Sequence, residues 1–342
     1  MQTVLDTPPG PGRVTIADVA RAAGVSIPTV SKVINNRDGV AQATIVRVQE
    51  VVERLGYETS LVARSLRSTR TNVIGILVTE FEPFSTELLR GVSAATTGTG
   101  YELLAYAGLL TGSSRPGWER RSLSRLSGTL IDGAIVVTPS AALSGASIPV
   151  VAIDPHTGPE GHATVDTDNA AGARQAVDHL LGLGHTRIAH LRGRGDLASS
   201  QLREAGYRSA LAAAGIAVDE QLVCAGDYQE ERSAAVAHDL LTLADRPTAV
   251  FAANDSSAIG VMHAAEALGL RVPEDLSVVG FDDVPQASTT TPPLTTVAQP
   301  LVDLGASAVS MLLGMLRGEP TSAHVRLPTT LRVRSTTAPV PR

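Results

Sequence analysis

The sequence predicts two architectures in one chain: an all-α helix-turn-helix headpiece at the N-terminus, then an α/β core of two doubly wound lobes. Three observations carry that expectation. Residues 15–36, TIADVARAAGVSIPTVSKVINN, show two short helical patterns around a glycine. From residue 72 onward, short aliphatic runs recur between amphipathic helices, as in parallel sheets with crossover helices. The length of 342 residues exceeds one ordinary core and leaves room for two lobes beside a small head.

Residues 1–13 are rich in Pro and Gly and lack an apolar h-region, so they are expected to form a disordered tail, not a signal peptide. In the first helix Ile16, Val19 and Ala20 share one face. Gly24 supplies the turn, where a positive φ is cheap only for glycine. Ser26 can cap a second helix with Val30 and Val33 inward and Pro28 tolerated in its first turn. Its outward face shows Ile27, Pro28, Thr29, Ser31 and Lys32, the layout of a helix that enters the major groove. An αα-hairpin in a globular core would share the two-helix pattern. The register of alanine, glycine and valine ahead of a basic segment favours DNA reading. Residues 41–57 predict a third helix, with Ile45, Val48, Val52 and Leu55 at helical spacing and Gly56 as C-cap. The stretch 58–72 has three arginines, two leucines and no acid after Glu58, suiting a linker that orders against phosphates.

In the core, buried parallel strands are expected at 72–78, 133–137, 149–153, 186–191, 248–253 and 276–281. Amphipathic helices are expected at 85–96, 170–184, 203–215 and 256–269. Ligands in such folds bind beyond the carboxyl ends of the strands, here between the two lobes. Asp255 and Asp283 follow strand ends and are expected to cap helices.

The formal net charge of −6 divides unevenly. Residues 1–70 hold nine Arg/Lys against six Asp/Glu, and the remainder 19 against 28. A basic head on an acidic body suits a DNA-binding module joined to a domain that does not adhere to DNA. Lys32 is the only lysine, and Cys224 the only cysteine, which excludes an intrachain disulfide or a cysteine-based metal site. No apolar run reaches membrane-spanning length, so a cytoplasmic protein is expected. GxSxG, HExxH and P-loop patterns are absent, and the GTG at 98–100 precedes a strand where a dinucleotide fingerprint follows one. Neither an enzyme nor a cofactor is expected. His179, His185 and His190 match no zinc spacing and are expected at helix ends and on the surface.

Several motifs occur in order: VTIADVARAAGVS, TVSKVIN, LGY, LVARSL, QLREAGYRSAL (201–211), AVFAANDSSAIG (249–260), DLSVVGFDD (275–283) and PPLTTVAQP (292–300). On these the chain resembles the LacI/GalR family of bacterial transcriptional regulators from Val14 to Thr337. The resemblance implies a headpiece at 14–57, a hinge helix at 58–70 and a core at 71–342. The core would be two lobes resembling periplasmic sugar-binding proteins, crossed three times by the chain. Lobe 1 would comprise about 71–167 and 299–328, and lobe 2 about 168–297 and 329–342. A homodimer is implied, acting as a repressor on double-stranded operator DNA under a small sugar-like effector. A purine or other metabolite is the alternative effector. A sugar-binding protein or enzyme without DNA function is the alternative of another class, disfavoured by the helix-turn-helix and the missing signal peptide.

By the same resemblance Ile27, Pro28 and Lys32 read base edges, with Thr29 and Ser31 beside them and Thr15, Asn35 and Arg37 on phosphates. Ala63 and Leu66 match the hinge motif, whose leucine enters the minor groove. Three departures stand out: Ala41 in place of a capping serine, Ile45 in place of an arginine, and Thr59-Ser60 in place of Pro-Asn. The effector cleft is expected to gather Phe84, Asp154, Ser199, Arg203, Asn254, Asp282 and Gln299, with Tyr228 as an aromatic wall. For Arg203, ligand contact is favoured over an internal ion pair. Leu197 suggests an effector with an apolar edge.

Overall fold

A computed structural model describes residues 14–34, 37–57, 70–108, 117–143, 145–156, 158 and 162–340. The chain divides into two compact units, residues 1–69 and 70–342.

In the first unit, α1 (Ile16–Ala23), α2 (Ile27–Ile34) and α3 (Gln42–Leu55) enclose a small core. Val19, Ala20, Ala23, Val30, Val33, Val48 and Val51 fill it. Thr15 and Asp18 form a reciprocal capping box at the start of α1, and Gly24 ends that helix in the left-handed region at φ 65°. Ser26 caps α2 by accepting the Thr29 amide at 3.3 Å. Ala41 leads into α3 in extended conformation with no side-chain cap, as its methyl side chain requires.

The second unit holds two six-stranded sheets. The first contains β1 (Val73–Val78), β2 (Glu102–Ala107), β3 (Gly133–Val137), β4 (Val150–Ile153), β5 (Ala163–Thr167) and β11 (His324–Leu327), in the order β11-β5-β4-β3-β1-β2. Every pairing in it is parallel. The second contains β6 (Ile188–Arg192), β7 (Val223–Ala225), β8 (Ala249–Ala252), β9 (Ser277–Asp282), β10 (Thr295–Ala298) and β12 (Thr330–Arg332), in the order β12-β10-β9-β8-β6-β7. Only β12 runs antiparallel to its neighbour. Strands β1, β3, β4 and β8 are buried along their whole length, which is why they read as unbroken aliphatic runs.

Helices α4 (Pro83–Thr96), α5 (Trp118–Leu126) and α10 (Leu301–Arg317) accompany the first sheet. Helices α6 (Asn169–Gly182), α7 (Ala198–Ala213), α8 (Glu230–Leu241) and α9 (Asp255–Ala267) accompany the second. Helices α4 and α10 cross at backbone contact: a Cβ on Gly91 would lie 2.0 Å from the Val302 carbonyl oxygen, and one on Gly305 2.4 Å from that of Leu88. The chain passes between the sheets after β5, after β10 and after β11.

Two histidines depart from the surface placement expected of them. His190 is fully buried, stacked between Tyr207 and Phe251, with Nδ1 bonded to the Phe251 carbonyl at 3.0 Å. His185 is buried between Thr248, Ser277 and the Ala338 carbonyl. His190 lies in β6 and His185 just ahead of it, and their aromatic bodies fill core volume; both His185 nitrogens find local partners, whereas His190 Nε2 is buried without one among the described residues. His179 lies in the last turn of α6, bonded to Thr337 at 3.0 Å.

Candidate DNA-reading face and effector cleft

Helix α2 buries Val30 and Val33 and therefore turns Ile27, Pro28 and Lys32 to solvent. Ile27 is 45% exposed, a large apolar residue in water on a helix of only eight residues. Thr29 and Ser31 are half-buried beside them. The Thr29 hydroxyl lies 2.8 Å from that of Ser26, so it belongs to the cap of the helix. Thr15 is likewise engaged: its hydroxyl donates to Asp18 Oδ2 at 2.6 Å and accepts the Asp18 amide at 3.4 Å. Both threonines are placed by capping, and a phosphate contact would have to be made in addition to it. Asn35, Ala63 and Leu66 lie outside the described residues.

In the second unit a cavity of about 290 Å³ opens at the carboxyl ends of strands from both sheets. Thr79 and Thr138 follow β1 and β3, and Asp154 follows β4. Arg194, Tyr228 and Asn254 follow β6, β7 and β8, and Asp282 ends β9. Parallel sheets direct chemistry to this edge because the backbone must turn there into a helix or loop. The turns are tight: Thr138, Asp154, Asp227, Tyr228 and Asp282 all have positive φ, a conformation uncommon for residues with a Cβ.

Seven of the eight residues expected in the effector cleft line this cavity: Phe84, Asp154, Ser199, Arg203, Tyr228, Asn254 and Asp282. Gln299 does not. It lies behind Asp282, buried at a crossing between the lobes, where its Nε2 donates to Asp282 Oδ1 at 2.7 Å and its Oε1 accepts the Thr167 hydroxyl at 2.6 Å. Leu197, only 7% exposed, adds an apolar side.

Arg203 is the most connected of these side chains. Its Nε donates to Asn169 Oδ1 at 2.8 Å, and its Nη1 reaches the Ala253 carbonyl. The internal ion pair, the less favoured alternative for Arg203, is present: Nη1 stands 3.3 Å from Asp282 Oδ1, with both side chains almost fully buried. The guanidinium also lies 3.7 Å from the Phe281 ring centroid. Ion pair and ligand contact are compatible, because Nη2 makes no bond among the described residues and Arg203 lines the cavity.

The helix caps also differ from expectation. Asn254, not Asp255, caps α9 through the Ser257 amide at 2.9 Å. Asp255 turns inward, accepting the Val284 amide at 2.9 Å and the Thr296 hydroxyl at 2.5 Å, and so ties α9 to the loop after β9 and to β10. Asp283 pairs with Arg334 at 2.5 Å. Glu82 was not singled out from the sequence. It caps α4 by accepting the amides of Phe84 and Ser85 at 2.9 and 3.0 Å, and it lines the cavity. Thr138, His156, Arg194 and Asp227 were also missed. The rule that sites gather after strand ends points to most of them, but the loops carrying them have no periodicity to mark them.

Burial dominates the electrostatics. It raises the carboxyl groups of Glu82 and Asp154 above their ordinary values. It pushes Asp282 up to about 7 against the opposing pull of Arg203, with Glu82 and Asp154 adding to the rise. Burial, assisted by the nearby Arg194 cation, holds His156 neutral with a pKa of about 4. The Tyr228 phenol, raised by burial, stands 3.2 Å from the Ser199 hydroxyl. No cluster of three or more metal-ligating side chains occurs among the described residues, and none of their helices is long and apolar enough to cross a membrane.

Residues 15–60 match the profile of the bacterial regulatory proteins of the lacI family, and residues 177–337 that of a periplasmic binding protein-like domain. The chain is 38% identical over 320 residues to the HTH-type transcriptional repressor PurR of Pectobacterium carotovorum, covering 91% of this chain and 93% of that one. The chain belongs to the lacI family. Another relative, the ribose operon repressor of Escherichia coli K12, is 36% identical over 324 residues, covering 92% of this chain and 96% of the relative. Among solved lacI-family structures, the Lac repressor dimer bound to operator and the anti-inducer ONPF superposes with a TM-score of 0.81. It shares 28% identity with this chain and covers 96% of it and 100% of its own length. The CelR–cellobiose complex superposes at 0.70 with 34% identity, covering 95% of this chain and all of its own. The family is one of transcriptional regulators, and the helical head and two-lobed parallel α/β core are its fold.

Proposed function

We propose that this chain is a cytoplasmic, homodimeric repressor without enzymatic activity, whose affinity for a pseudo-palindromic operator is set by a small effector bound between the two core lobes. The observation that carries this reading is the pairing, in one chain, of an exposed α2 face with a polar cavity at the strand ends of both lobes. In the head, Lys32 donates to guanine in the major groove, while Ile27 and Pro28 make apolar contact, for example with a thymine methyl. Thr15, Thr29, Ser31 and Asn35 fix the register on the backbone, and Ala63 and Leu66 act at the operator centre. In the core, Phe84, Asp154, Ser199, Arg203, Tyr228, Asn254 and Asp282 contact the effector, and Gln299 supports Asp282 from behind. The lobes are taken as about 71–167 with 299–328, and 168–297 with 329–342.

The ligands of the relatives' structures are sugars, cellobiose in one and ribose in another, while the sequence relatives include repressors named PurR and ribose operon repressors. Selection of bound duplexes from a random library tests the DNA reading. A two-fold symmetric consensus bound by one dimer is expected, since a two-fold protein matches a two-fold site. An asymmetric single site bound by a monomer contradicts it.

A further inference from the structure

At the end of the first sheet away from the cavity, one carboxylate holds the chain where it enters the core. Asp132 Oδ1 accepts the Thr71 amide at 2.7 Å and the Thr71 hydroxyl at 2.8 Å, and its Oδ2 accepts the Asn72 amide at 2.8 Å. Thr71 is buried, and its hydroxyl oxygen also accepts the Val73 amide at 3.2 Å. Asn72 is in the left-handed region at φ 55°, and the successive amides of residues 71 and 72 converge on one carboxylate. Arg70 Nη2 adds a bond to the Leu316 carbonyl of α10 at 3.4 Å. Three consecutive residues are thus fastened to the first sheet and its helix. They come directly after 58–69, the segment that joins the helix-turn-helix head to the core along the chain.

Bonds to a carboxylate are stronger than neutral ones, and a left-handed residue with a Cβ persists only where its surroundings determine it. The place of the clamp in the fold gives it a use beyond starting a strand. Strand β1 runs from Asn72 to Thr79 in the cavity wall, and β3 runs from Asp132 to Thr138 in the same wall. The two strands pair in parallel and are buried throughout. The six residues of β1 span roughly 20 Å at about 3.3 Å each. A packed pair of strands has little compliance, so clamp and cavity wall move as one piece.

We infer that Asp132 is a positioning residue: it fixes the direction in which the linker leaves the core, and so sets the half-site separation that a dimer can bind. The inference rests on the reading of the chain as a dimeric repressor. A change in the arrangement of the first sheet at the cavity reaches the linker through β1, β3 and this clamp. With the clamp opened, each head still binds its half-site, but the core no longer sets the separation.

The test uses the full chain and the operator that wild type selects from a random duplex library. Copies of that operator are lengthened or shortened at the centre by one and two base pairs, and a further duplex carries a single half-site. Wild type is expected to prefer the selected spacing by at least about tenfold, since half-site separation is a geometric property of a two-fold protein. Asp132→Asn is nearly isosteric but lacks one acceptor, and Thr71→Val removes the hydroxyl arm. Each should reduce the spacing preference below about threefold. Affinity for the single half-site should stay within about twofold of wild type, because the head is a separate compact unit. A spacing preference retained by both variants overturns the inference, as does a wild type indifferent to spacing. Equal losses on the single half-site mark general damage and overturn it as well. If Asp132→Asn does not fold, Thr71→Val decides. Selection of no symmetric operator by wild type contradicts the repressor reading itself, and the inference falls with it.

Discussion

Lys32 and Asp282 show how single side chains divide the labour. Lys32 stands exposed on a helix whose buried face is only Val30 and Val33, so its loss should cost the fold little. Lys32→Ala is expected to weaken operator binding by roughly 1–3 kcal/mol and to relax preference at one base pair of each half-site. Competition binding on operator variants checks this, and equal weakening on every sequence would make Lys32 a phosphate contact. Asp282 is buried, with its pKa pushed up to about 7 from an ordinary 3.8. The native state therefore holds the proton more tightly than the unfolded chain. The stabilising effect of the protonated group is full below the ordinary value and is lost as pH rises toward 7. Thermal denaturation of effector-free protein should show the stability of the wild type relative to Asp282→Asn declining from pH 4 to 7. A constant difference across that window would mean that Asp282 does not titrate there.

Elements with strong patterns were legible, and those without were not. The aliphatic runs at 133–137 and 149–153 correspond to Gly133–Val137 and Val150–Ile153, because strands covered on both faces need apolar residues throughout. The helix expected at 256–269 is Asp255–Ala267. By contrast β2, with the mixed sequence ELLAYA, is an edge strand with no fully buried residue and no simple pattern. Strands β7 and β12 have three residues each, too short for any periodicity. In the cleft, residues inside quoted motifs, such as Arg203 and Asp282, could be placed by resemblance. Glu82 and His156 could not, since their roles come from loop geometry. Gln299 was placed one layer too far forward, because adjacency along the chain does not reveal which side chain stands behind which.

Gly193, in the loop after β6, gives an element-level test. A Cβ there would lie 2.1 Å from the Tyr228 ring. Gly193→Ala is expected to displace the aromatic wall and weaken effector affinity at least about tenfold, while the fold and effector-free operator binding stay close to wild type. Calorimetric titration with an effector identified by thermal shift checks this, and unchanged affinity would remove Tyr228 from the site.

For the whole molecule the basic head and the acidic core give one chain two binding chemistries, and regulation requires that they be coupled. The core can sense a ligand because its cavity draws on both sheets, with Asp154 from the first and Arg203, Asn254 and Asp282 from the second. The Thr167–Gln299–Asp282 chain of hydrogen bonds runs through two of the crossings between the lobes. A ligand that touches both lobes favours one of their relative arrangements over others. Effector and operator must then alter each other's affinity by the same factor, typically 5- to 150-fold, whichever is added first. The decisive measurement is a fluorescence-anisotropy titration of selected operator duplex, with and without saturating effector, on wild type and Arg203→Lys. Effector should change wild-type operator affinity by at least about fivefold and leave the variant unchanged. Equal operator affinity with and without a cleft-bound effector would contradict control of the DNA-binding head from this cavity.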